Sequence, residues 1–218
     1  MTTPPDRPKI YHITHVANLA GIIADGGLVS DREMIERGGP AQAIGMSEIK
    51  RRRVEELDVR CHPGTKVGDY VPFYYCPRSI MLYVIYRRNH PELTYRGGQG
   101  PIIHLEADLH GTIRWANARG IRWAVSRSNA GTYAVQSEFR SDVDSFEQLD
   151  WNAIAATDFR APDVRDGKQA EFLLHDRFPF ELVERIGVQN AAVAGQAKAA
   201  LRSSSHRPPV EVRPGWYF

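Results

Sequence analysis

One carboxylate, placed beside an apolar run, constrains this chain more than any other feature. Residues 167–176 read GKQAEFLLHD, so Glu171 stands directly before Phe172, Leu173 and Leu174. The run is too short for a helix and reads as a buried strand, bounded by the polar groups of Lys168, Gln169 and Asp176. An acid within such a strand either faces water on a sheet edge or belongs to a site, because an unpaired charge is expensive to bury.

Composition narrows the setting. The 218 residues are 42% hydrophobic and 25% charged, as in an ordinary globular protein. The formal net charge is only +2, so any nucleic-acid surface must come from local clustering of the 28 lysines and arginines. Cys61 and Cys76 cannot build a disulfide framework, and no metal-ligand spacing is present, which points to a reduced cytoplasm and no metal. The N-terminus has no apolar signal core, and the longest apolar run, Ile80 to Tyr86, is far too short to cross a bilayer.

Along the chain, residues 1–9 read as a flexible lead-in and residues 10–218 as one α+β domain. Ile10 to Ile13 forms a short strand, Thr14 caps a helix carrying Leu19, Ile22 and Ile23, and Gly26–Gly27 stops it. Residues 30–46 have little periodicity and read as a long loop; Ser47 to Leu57 is a charged helix capped by Ser47. Tyr70 to Tyr75 is an aromatic strand, with Pro72 marking an edge or a strand start. Ser79 to Arg88 is a helix and Pro101 to Glu106 a strand. Residues 111–140 show no dominant period. Phe146 to Ala156 is helical, Phe159 to Gly167 is turn-rich, and Phe180 to Glu184 is a helix. Ile186 to Val188 is a strand, residues 191–202 a helix, and Val210 to Val212 a last strand.

Four groups of residues offer chemistry. His12 and His15 are either presented to a ligand or metal from a strand end or simply hydrogen-bonded at a junction; a metal would need a third ligand, which the sequence does not offer. Arg51, Arg52 and Arg53 cannot share one helix face, so either the group is solvated beside Glu55 and Glu56 or one arginine turns inward to hold a phosphate or carboxylate. Tyr70, Phe73, Tyr74 and Tyr75 either stack on a planar ring or form core. Arg114 to Tyr133 interleaves cations with aromatics, as a single-strand nucleic-acid surface does and as an irregular surface loop also can. There is no Walker loop, dinucleotide fingerprint or nucleophile-elbow serine, and Gly97–Gly98–Gln99–Gly100 reads as a turn.

Taken in order, six segments resemble one family: Tyr11-His12-Ile13-Thr14-His15, the helix ending at Gly26, Asp69-Tyr70-Val71-Pro72-Phe73-Tyr74, Cys76-Pro77-Arg78-Ser79 with Met81-Leu82-Tyr83, the Gly-Gly-Gln before a strand, and Gln169-Ala170-Glu171. They are similar to the DarT toxins, DNA ADP-ribosyltransferases of bacterial toxin–antitoxin systems, over nearly the whole chain from Ile10 to Phe218. The resemblance implies an ADP-ribosyltransferase fold with a split, mainly antiparallel central β core flanked by helices. It implies transfer of ADP-ribose from NAD, the co-substrate, to thymine in single-stranded DNA, and a DarG-type macrodomain antitoxin as partner. It also implies roles. Glu171 and Arg53 match the catalytic pair, with Arg51 and Arg52 less well aligned. His12, Ile13 and Thr14 contact NAD from the first strand, Gly21 and Val29 line the cleft, and Arg53 faces it. Residues 30–53 close over NAD, and residues 126–171 present DNA. Other acceptors on the same fold (guanine, RNA, protein) and a non-catalytic single-strand-binding module are the alternatives.

Overall fold

The computed structural model describes residues 4–132 and 138–218. Tyr133, the last member of the basic and aromatic stretch, lies outside the described residues.

Among the described residues the chain forms nine strands and eight α-helices. Strands β1 (Lys9–His15), β3 (Tyr70–Tyr74), β4 (Ile102–Asp108), β5 (Trp123–Ser126), β6 (Glu171–His175), β8 (Val183–Val188) and β9 (Val210–Val212) form one sheet in the order β5-β6-β3-β1-β4-β8-β9. Every pairing in it is antiparallel except β8 with β9. Strands β2 (Gly27–Val29) and β7 (Arg177–Pro179) make a separate two-stranded ribbon. The mainly antiparallel core flanked by helices is the α+β arrangement expected.

The two-residue strand period sorts side chains onto two faces. On one, Ile10, Val71, Phe73, Ile103, Leu105, Val125, Phe172 and Leu174 join a continuous cluster. Helix α1 (Leu19–Ala24) and α5 (Leu109–Asn117) cover it with Leu19, Ile22 and Ile113, and α8 (Ala191–Ala200) adds Val193 and Ala197. On the other face the apolar residues divide. Tyr70, Ala124 and Leu173 belong to one cluster, while Ile13 and Ile102 join α4 (Ile80–Arg87) and Tyr217 in another.

That division coincides with a seam in the sheet. Strands β1 and β4 pair along seven residues, whereas β1 and β3 share the single register pair Tyr11↔Tyr74. Pro72 explains part of it. The strand containing it is interior, between β6 and β1, not an edge as its proline suggests. Its carbonyl faces β1 and accepts from His12 Nδ1 at 2.9 Å. A strand residue's N–H and C=O point the same way, so the N–H that proline lacks is also missing from the seam.

Several sequence expectations change. Residues 30–46 are not all loop, because α2 spans Asp31–Glu36 with Ser30 Oγ accepting from Glu33 N at 3.3 Å. Thr14 caps no helix; it lies in β1, and His15 accepts the cap bond from Ala17 N instead. Helix α3 is Ser47–Glu55, and Met46 rather than Ser47 occupies its cap position. The aperiodic stretch 111–140 contains most of α5 and all of β5, whose Trp123 and Val125 are buried at the sheet edge. The helix expected over 146–156 is a 3-10 turn (Val143–Gln148) followed by α6 (Trp151–Ala155), since Asp150 starts a new helix by capping Ala153 N at 2.9 Å. The turn-rich link holds α7 (Pro162–Gly167), and Phe180–Leu182 is one 3-10 turn rather than an α-helix.

Candidate active site

Glu171 opens β6 rather than sitting in its middle, and it is 3% exposed. It pairs with Tyr74 on one side and Ser126 on the other, so it has neighbours on both flanks and is not an edge residue. Its odd-numbered position places it on the divided face, with Leu173. The acid is buried, and what offsets that burial comes from α3.

Successive helix residues turn by about 100°, so Arg51 and Arg53 point to nearly opposite sides. Arg51 lies in solvent among Glu48, Glu55 and Glu56. Arg53 is 7% exposed and turns inward. Its Nη1 donates to Glu171 Oε2 at 3.0 Å and to Oε1 at 3.3 Å, and its Nη2 donates to Oε2 at 3.1 Å. The planar guanidinium makes this two-nitrogen grip possible, which a lysine ammonium cannot reproduce.

The loop after β5 completes the carboxylate's environment. Ala130 N donates to Glu171 Oε1 at 3.2 Å, and Glu171 N donates to Ser126 Oγ at 3.1 Å. Asn129 shapes that loop, accepting from Gly131 N at 2.7 Å and donating to Gln169 Oε1 at 3.1 Å.

On the other side of Arg53 stands Asp31, the first residue of α2. Its Oδ2 lies 3.7 Å from Arg53 Nε, and its Oδ1 pairs with Lys50 Nζ at 3.0 Å. Arg53 Nε itself is shielded from solvent and makes no hydrogen bond among the described residues. Burial pulls the Arg53 pKa down, but Glu171 first and Asp31 next outweigh it, so the net displacement is upward. Arg53 is held as a cation.

His12 lies within reach of the same Asp31 and Lys50. Burial lowers its pKa, opposed by the Pro72 carbonyl and by Asp31. Neutral and bonded to a carbonyl, the ring must carry its proton on Nδ1, which leaves Nε2 as an acceptor. Tyr74, half-buried opposite Glu171, has its phenol pKa raised by burial and by that carboxylate.

The other residues named from sequence are placed differently. Ile13 is buried against Met46, Leu82 and Ile85, and its side chain is core. Thr14 Oγ1 is taken by Asn18 Nδ2 at 3.0 Å. Gly21 is exposed on α1, where an added Cβ would meet nothing within 4 Å. Val29 is buried in the β2–β7 ribbon opposite Arg177. Ile13, Gly21 and Val29 make no hydrogen bond or ion pair to the Arg53–Glu171 pair among the described residues. Of the two histidines, both are hydrogen-bonded, and no group of three or more His, Cys, Asp or Glu could hold a metal ion among the described residues. A cavity of about 600 Å³ lies at the far end of β6, lined by Trp115, Arg122, His175 and Phe178; it contains neither Glu171 nor Arg53.

Sequence reasoning missed Asp31, Lys50, Ser126 and the Ala130 amide. One signal was available: Ser30-Asp31-Arg32-Glu33 has the S-x-x-E form of a helix start, which would have placed Asp31 in a first turn. The Ala130 contact comes from a backbone amide and leaves no trace in residue type.

Comparison with known proteins decides the family. Residues 11–218 match the family described as "ssDNA thymidine ADP-ribosyltransferase, DarT". The chain belongs to the DarT family. It is thereby an NAD-dependent DNA ADP-ribosyltransferase. A DNA ADP-ribosyl transferase of Thermus aquaticus is 39% identical over 211 residues, covering 96% of this chain and 88% of the relative. The structure of Thermus sp. 2.9 DarT in complex with ADP-ribosylated ssDNA superposes with a TM-score of 0.88 at 34% identity, covering 100% of this chain and 99% of that one. The same DarT in complex with NAD+ gives 0.81 at 33% identity, covering 99% and 100%. The fold of this DarT member is therefore that of DarT structures, and no helix among its described residues is long and apolar enough to cross a membrane.

Proposed function

We propose that this DarT member transfers ADP-ribose from NAD to a thymine base of single-stranded DNA, releasing nicotinamide. We further propose that it is the toxin of a toxin–antitoxin pair, countered by a DarG-type macrodomain protein. The observation that carries the chemical part is the buried Arg53–Glu171 pair, with Glu171 on β6 next to the strand that borders the seam.

Breaking the nicotinamide–ribose bond builds positive charge on the ribose, as in other glycosyl transfers. A fixed carboxylate out of bulk water stabilises that charge, and Glu171 is held by Arg53 and the Ala130 amide before any substrate arrives. The leaving nicotinamide takes the electron pair of the broken bond. A thymine ring nitrogen forms the new bond to the ribose carbon and releases its proton to water, so NAD+ and thymine become the ADP-ribosylated base, neutral nicotinamide and H+. Arg53 is held cationic by Glu171 and Asp31, so in this arrangement it supports the role of fixing the carboxylate and meeting anionic substrate groups. The shielded Nε without a hydrogen-bond partner is consistent with a site built for a further acceptor. On this reading His12 Nε2 accepts from a ribose hydroxyl, Thr14, Gly21 and Val29 border the cleft, and Ile13 contributes only its backbone. Residues 126–171 present the DNA, and an unstacked base is the reachable one.

Mass spectrometry of defined single-stranded oligonucleotides after incubation with NAD tests the reading. The expected result is an ADP-ribose adduct on thymine, matched by released nicotinamide. Glu171→Ala is expected to abolish the adduct while NAD still binds. Adducts found on guanine, RNA or protein instead would overturn the acceptor, and an unaffected Glu171→Ala enzyme would overturn the mechanism. Binding of DNA with no nicotinamide released would leave only a binding module.

A further inference from the structure

Residues 37–46 join α2 to α3, and thus Asp31 to Lys50 and Arg53. This connection has no strand or helix of its own, yet it is tied to the end of β1 at one place. Asn18 Oδ1 accepts from Gln42 N at 2.8 Å, and Asn18 Nδ2 donates to Gln42 O at 2.9 Å. The same Nδ2 donates to Thr14 Oγ1 at 3.0 Å. The carboxamide therefore grips one residue's backbone on both of its polar groups, as a neighbouring strand would, and is itself anchored on β1. Asn18 is 8% exposed, so both ends of its amide are spent inside the protein. The following residues reinforce the attachment: Met46 and the partly buried Ile44 and Ile49 pack with Ile13 of β1.

We infer that Asn18 is a positioning residue that latches the 37–46 connection onto β1 and so holds the α2–α3 segment in its NAD-competent place. This inference rests on the reading of residues 30–53 as the segment that closes over NAD. Its physical content is a population argument. If the connection spends part of its time detached, the apparent affinity for NAD falls by the fraction that remains attached, and saturating NAD draws the population back. A lost latch should therefore raise the KM for NAD and spare kcat, which a general folding defect would not do.

Three hydrogen bonds meet at Asn18, and losing them is expected to raise the KM for NAD about tenfold in Asn18→Ala, the factor that 1.4 kcal/mol represents. Its kcat should stay within about twofold of the parent. Asn18→Asp keeps the acceptor for Gln42 N–H but turns a carboxylate oxygen toward the Gln42 carbonyl, and is expected to raise the KM at least as much as Asn18→Ala. A second readout needs no turnover. Trypsin cleavage after Arg37, at the start of the connection, should accelerate in Asn18→Ala and slow again when NAD saturates the protein. If Asn18→Ala does not fold, Gln42→Pro removes the N–H that Asn18 accepts, while also fixing the local backbone, and should show the same two effects.

Equal KM and equal cleavage rates in these variants would overturn the latch. A kcat loss without a KM change would do so as well. Failure of the underlying reading looks different: the parent would release no nicotinamide, while the cleavage rates without NAD would still report whether Asn18 holds the connection.

Discussion

At the scale of single residues, the site is an exchange of burial for preorganisation. Taking a carboxylate and a guanidinium out of water costs several kcal/mol per ion, which only close geometry and further hydrogen bonds recover. Here Glu171 has Arg53 and the Ala130 amide, while Arg53 also has Asp31 nearby. Arg53→Lys keeps the charge and loses the fork. A lysine cannot hold both carboxylate oxygens while staying near Asp31, so the variant is expected to fold and to lose roughly 10²–10³ in kcat, the magnitude of removing one preorganised donor. Steady-state nicotinamide release with a melting curve checks both halves, and activity within threefold of the parent would contradict the role. That Arg53 and Glu171 meet was not written in either motif alone: 118 positions separate them.

At the scale of elements, the ribbon β2–β7 shows how closely backbone can determine residue choice. A Cβ built on Gly27 would stand 2.1 Å from the Phe178 carbonyl oxygen, which backbone cannot yield. Gly27→Ala is thus expected to destabilise by about 3 kcal/mol and to lower the unfolding midpoint in urea. Gly21→Ala, with open space around it, should leave that midpoint unchanged. Strands β1, β3, β4 and β6 were legible because they bury alternating or continuous apolar runs, whereas the short β5 and β7 were not read. Short helices were less legible. Helix α2 buries no residue and α7 buries none, so neither shows an apolar stripe, and only the cap residue Ser30 and the first-turn Pro162 mark them. The broken helix at Leu149–Asp150 was misread for the opposite reason: Phe146, Leu149, Trp151 and Ile154 are all buried in one cluster although they lie on two elements.

At the scale of the whole molecule, the far half of the sheet is closed by buried aromatic and histidine groups. His104 on β4 is fully buried, with Nε2–H donating to the Pro77 carbonyl at 2.9 Å and Nδ1 facing the Tyr217 hydroxyl at 3.2 Å. Tyr217 in turn donates to the Ile102 carbonyl at 2.8 Å, and Gln99 clamps Phe218 through both its amide groups. Burial pushes the His104 pKa down to about 4 from its ordinary 6.5. Between these values the unfolded chain binds a proton that the folded chain refuses, so stability falls as pH drops through that window and is complete above it. The contribution is on the order of 3 kcal/mol, with His12 acting in the same direction. Urea unfolding between pH 7 and pH 4 should show this decline, and His104→Gln should have a shallower one. A parallel pair of pH profiles would remove His104 from the account.

The seam at Pro72 bears on how this molecule can move. One half-sheet carries Glu171 and Tyr74 and the other His12 and Thr14; they share an apolar cluster on one face, but along the seam itself the described residues show one register pair and one imidazole bond. Two stiff plates meeting along a lightly stitched line bend at that line before they bend anywhere else. A substrate gripped by both plates would then serve as a strut, and the molecule would be mechanically more nearly one body with its substrate than without it.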